Sequence, residues 1–422
     1  MNYHIISYGC QMNEYDSARL AALLEFHGWL PAINTEKADV ILVNTCSVRA
    51  KAEESAIARI KDLKPLKNHS KALKIGVLGC MAKNRGESLF KDLPFIDFAL
   101  APNEYEKLPQ TLNSQLSTLN SKNIFAKLSN NYSTFIAIQS GCNMKCSYCI
   151  VPYVRGMERY REPDSVIREI EAAVAKGVSE VTLLGQTVNG YRCKGLSFAG
   201  LLKLVADVKG IERIRFMSPH PKLYTGELLE ILLGEPKIAP HVHLPAQSGS
   251  NSILKKMKRQ YTRENYLSIV EVLRSSNPLY GITTDVICGY PGETEDEFEE
   301  TLMLLREAQF DSAFMFAYSS REGTSSALEK ESLTEAQKKA RLQKTIDLQH
   351  KITLERTKLM LGRCEKILLE KPSRRNSVEW VGKTGNFRKV IVPSQPNFRE
   401  GMYVDCVIEG IKGHTLRGKV NG

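Results

Sequence analysis

The sequence predicts an α/β protein in three parts. An N-terminal parallel α/β sheet domain covers residues 1–116, a central open (β/α)6 barrel covers 128–356, and a small OB-like β-barrel covers 358–422. Three observations carry this. Short apolar strands alternate with helical patterns up to about residue 360, as in parallel sheets flanked by helices. The alternation occurs three times before a Ser-, Asn- and Thr-rich stretch at 110–131 and six times after it. Beyond 358 the pattern changes to five short strands separated by Gly, Pro and Asn, which suits a small closed barrel.

In the first part, strands over 3–9, 39–45 and 73–79 end in Cys10, Cys46 and Cys80, and helical patterns follow over 17–27, 50–64 and 84–91. The strands have few polar breaks, as expected when both faces are covered. All strand C-termini of a parallel sheet share one edge, where ligands bind. Three cysteines at equivalent strand ends therefore converge despite their distance in sequence, and a three-thiolate metal centre is expected. Gly9 and Gly79 precede two of them and allow a tight turn. In the linker, Leu112, Leu116 and Leu119 are spaced for one helical turn of docking.

Directly after the first barrel strand comes Gly141-Cys142-Asn143-Met144-Lys145-Cys146-Ser147-Tyr148-Cys149. Three thiolates on one loop reach three irons of a 4Fe–4S cube. A four-thiolate electron-transfer site needs a fourth, and the next cysteine is Cys193. One iron is then left open for a substrate or cofactor. Structural zinc is a poor fit, because such sites take four ligands in paired short spacings.

The barrel strands are read at 135–139, 180–184, 213–217, 241–244, 282–287 and 313–318. The helices are read at 164–176, 197–208, 223–233, 263–275, 295–307 and 334–360. Sites in such barrels lie at the strand C-termini. Loops there carry Gly185, Gln186 and Asn189 after the second strand, Gln247 and Ser248 after the fourth, Asp285 on the fifth, and Gly292-Glu293-Thr294 beyond it. Arg155, Arg159 and Arg161 follow the cysteine loop, with guanidinium forks suited to phosphate or carboxylate. His241 and His243 alternate along the fourth strand and are expected to face opposite ways, with at most one entering the barrel. Cys193, Cys288, Cys364 and Cys406 share no spacing and are read as structural.

The chain has 422 residues, 42% of them hydrophobic, and a formal charge of +11. That is ample for several cores and points to a polyanionic partner. No apolar run is long enough to span a membrane, and residues 1–6 lack a signal-peptide layout. A cytoplasmic protein is expected, and its ten cysteines then favour metal or redox chemistry over disulfides. The C-terminal part is basic throughout, with Arg374, Arg375, Lys389, Lys412 and Lys419 among others. Trp380 and Phe387 stand among them as candidates for stacking on exposed bases.

The cysteine triple resembles the signature of the radical S-adenosylmethionine (SAM) enzymes. That resemblance implies SAM chelated to the open iron, and reductive cleavage to a 5'-deoxyadenosyl radical. The whole chain is similar to the methylthiotransferases, on Gly9-Cys10-Gln11-Met12-Asn13, Asn44-Thr45-Cys46-Ser47-Val48-Arg49, Gly79-Cys80-Met81-Ala82, the triple, and 243–250. It implies two 4Fe–4S clusters, on Cys142, Cys146 and Cys149 and on Cys10, Cys46 and Cys80. SAM would serve as both radical source and methyl donor, and the C-terminal barrel would be an RNA-binding TRAM domain. Residues 183–189 favour the branch that converts N6-isopentenyladenosine at position 37, in the anticodon stem-loop of tRNA, to its 2-methylthio form. Partners implied are tRNA, an electron-donor protein and sulfur or cluster supply proteins, with the chain acting as a monomer. Glu322 and Tyr290 stand where proline and phenylalanine are usual. Rival readings are a methylthiotransferase for threonylcarbamoyladenosine or for ribosomal protein S12, and a non-catalytic iron–sulfur RNA-binding sensor.

Overall fold

A computed structural model describes residues 1–47, 50–112 and 124–420. The N-terminal elements are β1 (Asn2–Ser7), α1 (Gln11–Phe26), β2 (Leu30–Pro31), β3 (Val40–Thr45), α2 (Ala50–Lys61), α3 (Lys64–His69), β4 (Lys74–Gly79), α4 (Cys80–Arg85), α5 (Ser88–Asp92), β5 (Phe98–Leu100) and α6 (Leu108–Thr111). The strands form one parallel sheet in the order β2-β1-β3-β4-β5. Its centre is β3, buried along its whole length. Alternate residues supply separate cores: Val40 and Leu42 pack with Leu20 and Leu24 of α1, while Ile41 and Val43 pack with Ile60 and Leu63 on the opposite face. The edge strands β2 and β5 are too short for their periodicity to stand out. Helix α1 starts at Gln11, six residues earlier than its apolar pattern suggests. Leu112 is buried; Leu116 and Leu119 lie outside the described residues.

The barrel comprises β6 (Ser133–Ala137), β7 (Gln139–Ser140), α7 (Val151–Arg155), β8 (Arg159–Tyr160), α8 (Pro163–Val174), β9 (Glu180–Leu184), the hairpin β10 (Arg192–Cys193) and β11 (Leu196–Ser197), α9 (Phe198–Asp207), β12 (Arg213–Phe216), α10 (Gly226–Gly234), β13 (His241–His243), α11 (Asn251–Lys256), α12 (Arg263–Ser276), β14 (Gly281–Cys288), α13 (Glu295–Ala308), β15 (Ser312–Ala317) and α14 (Glu335–Lys358). Two parallel ladders, β6-β9-β12 and β13-β14-β15, meet at a bridge between Ile214 and Ile238. The six strands thus curve round in chain order, and β6 and β15 are not paired with each other. Along β14, Ile282, Thr284 and Val286 are buried beneath helices, while Thr283, Asp285 and Ile287 are only half-buried. The helices start where capping dictates. Thr262, Thr294 and Thr334 each accept from the backbone N–H three residues on, and Asn265, Glu297 and Gln337 return the bond.

The closed C-terminal barrel follows the order β16-β17-β18-β20-β19, from β16 (Cys364–Pro372), β17 (Glu379–Lys383), β18 (Lys389–Pro393), β19 (Tyr403–Lys412) and β20 (Thr415–Val420). It docks under the N-terminal ends of the central strands. Arg213 donates to the carbonyl of Lys366 at 3.1 Å, and Arg215 to those of Gly385 and Thr384 at 2.9 and 3.0 Å. His241 stacks on Phe387 with ring centroids 4.7 Å apart. Trp380 is buried in the barrel core, edge-on to Phe398. Trp380 is therefore no stacking platform, because it fills a core; Phe387 stays exposed but carries His241 on its ring.

Cys288 and Cys406 are fully buried in cores, Cys193 is half-buried against the main core, and Cys364 is exposed at the start of β16. No helix among the described residues is long and apolar enough to cross a membrane.

Candidate metal centres

The loop carrying Cys142, Cys146 and Cys149 is closed at its base by the antiparallel pair β7 and β8. Gln139 ties it to the next strand's loop. Its Nε2 donates to Gly141 O at 2.7 Å, and its Oε1 accepts from the backbone N–H of Gln186 and Thr187 at 2.7 and 3.1 Å. Gln186 Oε1 accepts in return from Gly141 N at 2.5 Å. A side chain at Gly185 would stand 2.5 Å from Gln139 Oε1, so this approach excludes one. Ser147 is gripped on every polar atom. Its N–H donates to Met257 O at 3.1 Å, its carbonyl accepts from Ser326 N at 2.9 Å, and its hydroxyl lies 2.9 Å from both Lys256 O and Tyr290 Oη.

The thiols have specific partners. Cys142 Sγ lies 3.1 Å from Thr187 Oγ1, and Arg259 Nη1 donates to Cys146 Sγ at 3.4 Å. Arg259 is itself buried, held by Pro245 O at 3.1 Å and Tyr261 Oη at 3.1 Å. Burial, reinforced by Cys146, pushes the Cys149 thiol up to about 12, and burial also raises Cys142. Ligation of a metal would have to displace these protons. Among the described residues, no three His, Cys, Asp or Glu side chains converge on one metal ion. A cube asks for something else, one thiolate per iron. Three thiols flanked by a cation and a hydroxyl donor are a donor set that fits an anionic cluster.

The other trio sits at the C-terminal edge of the N-terminal sheet, as parallel topology requires. Gly9 and Gly79 both have positive φ. A Cβ on Gly9 would stand 2.6 Å from Cys46 Cβ, and one on Gly79 would stand 2.3 Å from Thr45 O. Only glycine allows these turns, which bring the cysteine-bearing ends together. Cys46 and Cys80 are buried and Cys10 is exposed. A hydrogen bond with Cys46, helped by the Arg155 charge, brings the Cys10 thiol down to about 6, while burial raises Cys80.

Arg155 lies beside this second trio and is not free for the phosphate or cofactor carboxylate for which its fork was suited. Its Nη2 donates to Asn13 Oδ1 at 3.0 Å and Asp16 Oδ2 at 2.9 Å, both on α1. Arg161 is likewise structural, bonded to Glu169, Tyr15 and the Ala137 carbonyl. Asn189 spends its side chain on the backbone of His220, donating at 3.0 Å and accepting at 2.8 Å. Ser248 is buried, its hydroxyl 3.2 Å from Thr301 Oγ1 and accepting from Ser250 N. Both side chains position loops through these bonds. Gln247 has φ +69 and pairs its backbone with Asp285 and Ile287.

His241 and His243 do not face opposite ways. Residues two apart on a strand share a face, and both rings reach Thr283 Oγ1, at 3.2 and 3.0 Å. His243 Nε2 also lies 3.4 Å from Asp285 Oδ2. Sequence reasoning missed Arg259, Gln139 and Thr187. Arg259 ends a basic run, Lys255-Lys256-Met257-Lys258-Arg259, that reads as a solvated face. Asn13 was in view only as part of a motif.

Strand-end cysteines on a parallel sheet, joined to a six-strand open barrel with a three-cysteine loop, define a radical SAM protein. The family description "Radical SAM superfamily" matches residues 136–305, and "Uncharacterized protein family UPF0004" matches residues 2–101. The chain is 43% identical to the tRNA-2-methylthio-N(6)-dimethylallyladenosine synthase of Thermoanaerobacter sp. (strain X514), covering 99% of this chain and 92% of that one. It is 41% identical to the synthase of that name from Caldicellulosiruptor saccharolyticus, with the same coverage. The radical SAM methyltransferase TsrM from Kitasatospora setae, solved with cobalamin and a 4Fe–4S cluster, is similar in fold, with TM-score 0.59 and 14% identity over 78% of this chain and 77% of that one. The chain belongs to the tRNA-2-methylthio-N(6)-dimethylallyladenosine synthase family, a family of radical SAM methylthiotransferases.

Proposed function

We propose that this chain converts N6-isopentenyladenosine at position 37 of tRNA to its 2-methylthio derivative. The observation that carries this is full-length membership of the family together with two cysteine trios joined by one short helix, α7. Cys142, Cys146 and Cys149 would hold one 4Fe–4S cluster, and Cys10, Cys46 and Cys80 a second. Loaded there, the clusters with SAM would supply a radical able to remove hydrogen from C2 of the adenine and a sulfur to replace it, and a second SAM would supply the methyl group.

The protein's own part is placement and shielding. Thr187 and Arg259 hold the thiolates of the first trio, and Gln139 and Gln186 fix the loop on which they stand. Gly185, by its backbone, and Gln247 and Asp285 remain the candidates for contact with SAM. The C-terminal barrel plugs the strand N-termini through Arg213 and Arg215, so substrate enters from the cysteine face. Exposed Arg374, Arg375, Lys389 and Lys412 would meet tRNA phosphates by charge. The chemistry requires an electron donor and sulfur or cluster supply proteins. Action as a cytoplasmic monomer is part of this reading.

The test is nucleoside mass spectrometry of tRNA from cells with and without the protein. Loss of 2-methylthio-N6-isopentenyladenosine, with its unthiolated precursor accumulating, is expected. An unchanged level of that nucleoside overturns the reading, and loss of the threonylcarbamoyl analogue or of S12 modification would name the substrate instead.

A further inference from the structure

Helix α7 leaves the Cys149 loop and runs straight to the N-terminal trio. Ile150 and Val154 pack on Cys80. Arg155, the last residue of α7, is 6% exposed. Its guanidinium is bonded to Asn13 and Asp16, and its charge acts on the Cys80 thiol. Asn13 in turn donates to the carbonyls of Tyr8 and Thr45 at 2.9 Å each, the backbone just ahead of Cys10 and Cys46, and Cys10 Sγ lies 3.7 Å from its Oδ1. On the other side, Gly156 O accepts from Cys142 N at 3.1 Å. The buried Arg155 side chain thus reaches the residues that back the N-terminal trio, while the carbonyl of the next residue, Gly156, holds the loop of the other trio.

We infer that Arg155 is a positioning residue of the N-terminal iron–sulfur centre, contributed by the barrel, and that Asp16 sets how much of its charge that centre feels. The inference rests on the reading above that Cys10, Cys46 and Cys80 hold a cluster. A thiolate-ligated cluster is anionic and gains a further negative charge on reduction, so a neighbouring cation favours the reduced form. Asp16 opposes that effect and keeps the guanidinium paired in the interior. Arginine suits the place because its planar fork serves several acceptors at once, which an ammonium on a flexible stem does not.

The test uses the full chain with Cys142, Cys146 and Cys149 all changed to Ala, reconstituted anaerobically with iron and sulfide. Iron content, the electron paramagnetic resonance spectrum and the midpoint potential are read. Arg155→Gln is expected to lower the potential by at least a tenfold change in the reduction equilibrium, about 59 mV for one electron. Asp16→Asn is expected to raise it, and Arg155→Lys to fall between Gln and the parent. A retained cluster whose potential is unmoved by both changes, or moves the same way in both, overturns the inference. If Arg155→Gln fails to hold iron, Asp16→Asn decides: a rise supports the role and no change refutes it. If the parent triple variant itself holds no iron, the second-centre reading fails, and this inference falls with it.

Discussion

Arg259 Nη1 lies 3.4 Å from Cys146 Sγ, although the two residues are 113 positions apart in sequence. The same guanidinium is fixed by Pro245 O and Tyr261 Oη, so the charge is aimed at the sulfur rather than free to swing. Arg259→Gln should therefore weaken the first centre without unfolding the barrel. Outer-shell partners of this kind are worth about 10–100-fold in metal affinity or activity. Iron retention during chelator challenge, measured in a variant lacking Cys10, Cys46 and Cys80, checks this.

The two trios should separate genetically. Cys142→Ala is expected to abolish SAM cleavage. Cys10→Ala is expected to keep 5'-deoxyadenosine formation and lose thiolation of tRNA. Chromatography of 5'-deoxyadenosine alongside nucleoside mass spectrometry reads both steps. Thiolated product from Cys10→Ala would remove the sulfur role from the N-terminal sheet.

Tyr290 offers a smaller effect. Its hydroxyl joins Ser147 at 2.9 Å to Glu329 at 3.2 Å, bracing the cysteine loop against the segment after β15. Tyr290→Phe loses those bonds but keeps the ring packed with Tyr318. A loss of about 1 kcal/mol is expected, read from the midpoint of denaturant unfolding.

Acid should loosen the contact between the two barrels. Burial, with Arg215, His243 and Lys383 adding to it, holds His241 well below its usual range. The unfolded chain takes up that proton near pH 6.5 and the folded chain does not. The stabilisation is thus fully present above about pH 6.5 and is lost as pH falls below it. Thermal melts from pH 7.5 to 5 should show a steeper decline for the natural chain than for His241→Gln. Equal slopes would dismiss His241 as the source.

Much of this molecule is legible in the sequence because its main features repeat. Strand–helix alternation located the six barrel strands to within about two residues at either end, and the five strands of the C-terminal barrel were found by their turn residues. The short edge strands β2 and β5 carry too few residues for a period to show. The site divides along the same line. Cys10, Cys46 and Cys80 could be grouped unseen, because every strand of a parallel sheet ends on the same edge. Cys142, Cys146 and Cys149 share one loop, so their spacing alone grouped them.

The chain's order of residues therefore set the sheet classes and the three parts, and marked the cysteines out as two candidate trios, all of which follow from local period and chain direction. The roles of Arg155, Arg259, His241, Trp380 and Phe387 did not follow from it. Each depends on which faces of two separate elements meet, and that is decided by packing across long sequence separations. Arg155 looks like a loop arginine beside its own cysteines until α1 places Asp16 and Asn13 against it. Phe387 looks like a base-stacking ring until the strand N-termini place His241 upon it. Burial made Arg155 a fixed part of a contact between domains, and stacking on His241 did the same for the still exposed Phe387.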